Sequence, residues 1–355
     1  YADDDVNEKV KRAIDEGSMG TLNSFEEVEL TELLLSLHPW TGMVRYARTG
    51  GEAMAIAVRI ARAFKRKDKI AFCGYHGWHD WYLAANLADD KNLDGHLLPG
   101  LKPLGVPRCL KGTAMPFTYN QINELESIIR NNDIGVIVLE PIRHYEPEND
   151  FLNKVRDIAR KIGAVLIFDE ITSGFRMNVG GVYKLYNIEP DIVVYGKAMG
   201  NGFPIAAIVG KKEIMDVAQE SFISSTFWTE RIGFVAAIAT IKKMLRNNVP
   251  PHLIKIGNLI KKGWENLAKE HNLKIKILGI PPLATFLFDY DRENQALHTL
   301  FTQEMLDRGF LASKQVYVSD SHKEGHIKSY LNNVDEVFGI IKDAINENNV
   351  HYLLK

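Results

Sequence analysis

The apolar runs of this chain are short, and each stops abruptly at a polar residue. Ala164-Val165-Leu166-Ile167-Phe168 ends in Asp169-Glu170, Ile134 to Leu139 ends in Glu140-Pro141, and Ile192-Val193-Val194-Tyr195-Gly196 ends in Lys197. Lys69 to Cys73 delivers Gly74-Tyr75-His76-Gly77. Runs apolar on both faces predict strands buried inside a parallel sheet. Between them lie helical segments: Val6, Val10 and Ile14 at four-residue spacing; a helix rich in Leu33, Leu34, Leu35 and Leu37; an alanine-rich helix from Met54 to Lys65; a helix with Ile122, Leu125, Ile128 and Ile129; and one with Leu152, Val155, Ile158, Ala159 and Ile162 on one face. Ser24 with Glu27 predicts a capping box, Asn120 a cap, Pro39 a helix stop, and Gly163 the left-handed residue closing a helix. Val44 to Ala47 and Pro204 to Val209 read as further strands, with a short helix after Lys212, and 82–118 reads as irregular. This alternation predicts an α/β fold with a mostly parallel central sheet between helices.

The pattern changes near the C-terminus. A long helix from Glu230 to Leu245 is followed by Pro250-Pro251, which mark a domain boundary. Beyond it come a helix, an extended piece from Ile277 to Phe288 broken at Pro281-Pro282, a helix through Met305, a strand at Val316 to Ser319 and a final helix. The expected division is a large domain over 1–248 and a small α+β domain over 249–355, with the helix at 4–16 on the small-domain side.

Composition narrows the class. Hydrophobic content of 46% and charged content of 25% fit a globular protein, and a net charge of −2 argues against nucleic-acid or membrane partners. Two cysteines, Cys73 and Cys109, are too few for a disulfide framework, so a cytoplasmic location is expected. No apolar run approaches the ~18 residues of a membrane span. The chain opens without Met, and a processed or trimmed N-terminus is expected.

Candidate chemistry gathers where strands end, which is where open α/β sheets bind ligands. Asp169 and Lys197 sit on two strand ends, and a ring ligand between them is expected. Asp169 either caps its own turn or pairs with a ring N–H⁺. Lys197, amid Gly196, Gly200 and Gly202, is either a surface residue or an amine able to form a Schiff base. Thr49-Gly50-Gly51-Glu52 is either a plain turn or an anion cradle at a helix start. Tyr75 and His76 either pack their own loop or stack on a flat ligand, and Trp78 and His79 are structural or rim residues. Ser224 to Thr229 supplies caps or phosphate ligands. Neither cysteine has metal-ligand spacing with His76 or His79, so no metal is expected. Absence of GxGxxG, GxxxxGK[ST] and GxSxG argues against dehydrogenase, NTPase and serine-hydrolase readings.

Thr49-Gly50-Gly51-Glu52-Ala53, Tyr75-His76-Gly77, Glu140-Pro141, Phe168 to Arg176, Pro190-Asp191, Gly196 to Gly202 and Ser225-Thr226 together resemble the class III aminotransferases, fold-type I pyridoxal-phosphate enzymes. The nearest branch is similar to glutamate-1-semialdehyde aminomutase and its aminotransferase relatives. The resemblance implies a large cofactor domain, pyridoxal 5′-phosphate and a homodimer. It implies a Schiff base on Lys197, Asp169 at the pyridinium nitrogen, Ile171 and Tyr75 on the two ring faces, and phosphate on the Gly50 and Gly51 N–H groups. Thr226 would reach the neighbouring subunit's phosphate, and His76 and Glu140 would lie near the cofactor. Arg143 and Arg231 are candidates for an acidic substrate group. Gly51 stands where the family more often has Ser or Thr. The expected activity is transfer of an amino group from a donor to a carbonyl acceptor. The alternatives are intramolecular transfer as in the aminomutase and, from another class, a non-catalytic cofactor-binding protein.

Overall fold

The computed structural model describes residues 2–96 and 99–355. Leu97 and Leu98, inside the stretch expected to be irregular, lie outside the described residues. Two compact units are formed, Ala2–Ile142 with Pro147–Asn247, and Arg143–Glu146 with Asn248–Lys355.

The larger unit is built on β1 (Met43–Ala47), β2 (Lys69–Cys73), β3 (Ala114–Pro116), β4 (Ile134–Leu139), β5 (Val165–Asp169), β6 (Ile192–Tyr195) and β7 (Ala206–Gly210), in the order β1-β7-β6-β5-β4-β2-β3. The pairings from β3 through β6 are parallel, while β7 runs antiparallel to both β6 and β1. Every residue of β4 to β7 is buried, as runs apolar on both faces require. The helices of this unit include α1 (Asp4–Asp15), α2 (Phe25–Leu37) and α3 (Gly50–Lys65). Helix α3 shares one core with the central strands through Ala53, Ile56, Ala57, Ile60, Val138, Ile167 and Val194. Burying a side chain such as Ile167 contributes about 1.5–3 kcal/mol. The parallel strands β2, β4, β5 and β6 therefore present their carboxyl ends along one edge.

Several local expectations are corrected. Helix α3 begins at Gly50 rather than Met54, because Thr49 caps it by accepting from the Glu52 N–H at 3.3 Å. Ser24 occupies the cap position of α2 but its side chain makes no cap bond and no capping box forms; partial burial raises the pKa of Glu27. Asn120 is not the cap of the helix Ile122–Asn131. It lies one residue earlier in the left-handed region, with its Oδ1 accepting from Glu148 N at 3.0 Å. The stretch 82–118 contains the edge strand β3 and short helical turns at Ala84–Leu87 and Arg108–Leu110. Helix α1 belongs to the larger unit rather than the small-domain side. Val6 and Val10 pack with Ala236 of the helix Ile232–Asn247, and Lys243 pairs with Asp3 at 2.6 Å.

The smaller unit holds an antiparallel sheet in the order β10-β9-β8, from β8 (Ile275–Leu278), β9 (Leu283–Phe288) and β10 (Gln315–Tyr317). Pro281 and Pro282 fall in the β8–β9 turn. Pro250 and Pro251 stand in the first turn of the helix Val249–Glu270, where a missing N–H breaks no helical bond. Among the described residues no helix is long and apolar enough to cross a membrane.

One buried histidine gives the larger unit a pH dependence. His38 is fully enclosed, with Nδ1 2.7 Å from the Tyr183 hydroxyl, which also accepts from Trp40 Nε1 at 2.9 Å. His38 Nδ1 and the Tyr183 hydroxyl share one hydrogen bond in an enclosed setting that favours the neutral imidazole. Burial, with Lys184 nearby, pushes its pKa down to about 3. Below the ordinary value near 6.5 the unfolded chain takes up a proton that the folded chain refuses. Stability is thus full above about pH 6.5 and falls by up to about 1.4 kcal/mol per unit as pH drops toward 3. Between pH 7 and pH 5, urea denaturation is expected to show His38→Phe losing about 2 kcal/mol less than the unsubstituted protein.

Candidate active site

The carboxyl edge of the sheet collects the candidate residues strand by strand. Asp169 closes β5 and is 3% exposed. Its Oδ2 lies 2.9 Å from His76 Nδ1, and its Oδ1 accepts from Ile171 N at 3.0 Å. His76, fully buried, donates from Nε2 to Cys73 O at 3.1 Å. The carboxylate thus caps the turn that follows β5 and is held by the imidazole of the loop after β2. Each carboxylate oxygen keeps a lone pair for a further donor. Glu170 points the opposite way, as strand alternation requires, and accepts from Val182 N at 2.6 Å and Tyr183 N at 2.9 Å. Burial pushes its acid up to about 7.

The loop after β2 is pinned on several sides. Glu140, following β4, accepts from Tyr75 N at 3.1 Å; Tyr82 donates its hydroxyl to Gly74 O at 3.0 Å; and Gly74 N donates to His96 Nδ1 at 3.2 Å. Burial holds His96 down at about 4, which keeps Nδ1 free to accept. Gly74 has φ +113°, and a Cβ there would stand 2.8 Å from Glu140 Oε2, so the position requires glycine. A Cβ on Gly77 would stand 2.9 Å from Gly51 Cα, so this loop and the start of α3 touch backbone to backbone. His79, expected as a structural or rim residue, packs behind Gly51, where a Cβ at 51 would stand 3.0 Å from its Nδ1.

Lys197 follows β6, three residues beyond Val194, the β-partner of Asp169. Its φ of +42° is left-handed, a strain that costs about 1–3 kcal/mol at a non-glycine residue and gathers at functional sites. The residue is exposed in the single chain. Its Nζ donates to Thr172 Oγ1 at 2.7 Å.

These pieces enclose a cavity of about 350 Å³ lined by Gly50, Gly51, Tyr75, His76, Asp169, Ile171 and Lys197. Arg48, Trp78, Thr172 and Phe203 also line it. Sequence reasoning missed Arg48 and Thr172; Thr172 lies inside a matched stretch, but nothing there marks its hydroxyl as facing the lysine. Thr226 is exposed and does not line the cavity. The carbonyl of Phe227 next to it accepts from Arg48, and that of Glu230 accepts from Arg48 Nη2 at 2.8 Å. Arg231 is outside the cavity lining too, its guanidinium held by Glu26 at 2.5 Å and Glu16 at 3.3 Å. Arg143 lies in the smaller unit, where its carbonyl accepts from Ile280 N at 3.4 Å. Among the described residues no cluster fit for a metal ion occurs.

The donor set fits a flat, phosphate-bearing aldehyde. The cavity has the size of a small-molecule site. It offers a primary amine, a buried carboxylate, an aliphatic and an aromatic face, and a helix N-terminus whose first two residues carry no side chain to block an anion.

Comparison with known proteins agrees. The model of the family described as aminotransferase class-III matches residues 1–315. The 3-aminobutyryl-CoA aminotransferase of Cloacimonas acidaminovorans is 34% identical over 318 residues, covering 86% of this chain and 73% of its own. The glutamate-1-semialdehyde 2,1-aminomutase of Methanothrix thermoacetophila is 31% identical over 351 residues, covering 94% and 80%. In fold, an omega-transaminase from Sphaerobacter thermophilus superposes with a TM-score of 0.86 at 24% identity, over 96% of this chain and 84% of that one. A strand-edge cavity with a lysine, a carboxylate and a helix N-terminus, inside a chain matched over most of its length, places this protein in the class-III aminotransferase family of pyridoxal 5′-phosphate enzymes.

Proposed function

We propose that the chain is a transaminase that moves an amino group from a small amine donor to a carbonyl acceptor, with Lys197 and Asp169 as its catalytic pair. The observation that carries this is one cavity lined by both the Lys197 side chain and the Asp169 carboxylate. Bound pyridoxal 5′-phosphate supplies a ring that withdraws electrons from the substrate carbon. Lys197 would hold the cofactor through Nζ, and the freed Nζ would be the base that takes a proton from the donor's amine-bearing carbon and passes it on, and that gives one to the acceptor's carbon in the reverse half. Asp169, its orientation fixed by His76 and the Ile171 N–H, would hold positive charge at the ring nitrogen. Ile171 and Tyr75 confine the ring faces, and the Gly50 and Gly51 N–H groups hold the phosphate. Glu140 acts indirectly, by fixing the backbone of Tyr75.

The exposure of Lys197 and Thr226 in a single chain supports a homodimer in which Thr226 reaches the neighbouring subunit's phosphate. Two cysteines without a disulfide fit a cytoplasmic location. Arg143 is kept as the candidate for an acidic substrate group, whereas Arg231 is given a structural role as partner of Glu16 and Glu26. Kinship with aminomutases favours a second reading, in which amine leaves and returns to one molecule.

A panel of amines added to the holo-protein tests the proposal. Loss of the cofactor's aldehyde absorbance, with release of a stoichiometric carbonyl product, is expected for at least one amine. An aminomutase would show no net product without its own substrate, and a non-catalytic protein would react with none.

A further inference from the structure

We propose that Thr172 is the positioning residue for the lysine amine, keeping Nζ in place in both of its protonation states. The inference rests on the reading of Lys197 as the cofactor-bearing residue. Nζ donates to Thr172 Oγ1 at 2.7 Å, the short end of the N–H···O range and typical of a charged donor. Thr172 is 4% exposed, and both residues line the cavity.

The hydroxyl is itself held in place. The Thr172 carbonyl accepts from Arg176 Nε at 2.7 Å, and Arg176 is only 7% exposed. One residue before, Ile171 N donates to Asp169 Oδ1; two residues before, the Glu170 carbonyl accepts from Gly174 N at 2.8 Å. The turn that carries Asp169 and Ile171 therefore also fixes Oγ1. The lysine, in contrast, is exposed and carries its amine on a flexible four-carbon stem. Ordering that stem before reaction removes an entropic cost from every turnover.

A hydroxyl suits the task because it both accepts and donates. It accepts from the ammonium and, after rotation about its C–O bond, donates to the lone pair of the neutral amine. An amine that alternates between carrying and releasing a proton keeps this partner throughout. The β-branched threonine has few χ1 states, and its small size leaves the cavity open.

The test uses the full-length chain. Thr172→Val keeps the shape and removes the hydroxyl. It is expected to lower kcat by roughly 10- to 100-fold with KM for the amine donor within about twofold, the loss of one hydrogen bond to a charged group. Capture of pyridoxal 5′-phosphate by the apo-protein, followed by absorbance, slows alongside it. Thr172→Ser restores both, and Thr172→Ala repeats the loss if the valine variant fails to fold. Wild-type capture and turnover in Thr172→Val or Thr172→Ala overturn the inference. Equal damage in Thr172→Ser, together with a lowered melting temperature, also overturns it, because the role would then be structural. Lys197→Ala separates the two levels. If it stays active, the lysine assignment fails. If it is inactive while Thr172→Val is unchanged, only the role of Thr172 fails.

Discussion

Lys197→Ala removes amino transfer by roughly 10³-fold or more while leaving the melting temperature nearly unchanged, the loss expected when nucleophile and base vanish together. Lys197 is the single lysine among the described residues lining the cavity, so no neighbouring amine substitutes for it. The fold loses little, since the side chain is exposed and its backbone stays left-handed with alanine in its place. Single-turnover rates with a reactive amine, alongside thermal melting, measure both halves of this expectation. A variant inactive only because it unfolds would show itself in the melt.

Asp169→Asn separates charge from shape. The amide oxygen can still accept from Ile171 N, so the turn is preserved. On the proposed placement, what disappears is the negative charge that would face the cofactor's ring nitrogen. The expected cost is a roughly 10²- to 10⁴-fold fall in turnover, the scale of a lost electrostatic partner in a dry site. Cofactor affinity is expected to weaken as well, read by equilibrium dialysis. Turnover within a few fold of the unsubstituted enzyme would move the electrostatic role elsewhere.

The strand runs are legible in the sequence because burial on both faces leaves no polar alternation to misread. Ile134–Leu139 and Lys69–Cys73 have the same bounds in sequence and structure for that reason. Asp169 and Lys197, the polar ends of two other runs, do line the cavity, as charges at the edge of a core that need partners. What stays hidden depends on distance in space. That Asp169 meets His76, 93 positions earlier, results from β2 and β5 flanking β4, which no local pattern encodes. Thr172 facing Lys197 depends in the same way on the pairing of β5 with β6. The start of α3 differs from expectation because glycines read as a turn, whereas the Thr49 cap recruits them into the first helical turn. Arg231 reads as available for a substrate because a sequence does not reveal that Glu16 and Glu26 already hold its guanidinium.

The most direct measurement is chemical. Reduction of the holo-protein with borohydride, followed by proteolysis and peptide mass analysis, shows which amine carries the cofactor. A phosphopyridoxyl mass on the peptide containing Lys197, absent from the Lys197→Ala protein, is the predicted result. The same mass on another lysine, or on none, would contradict the account.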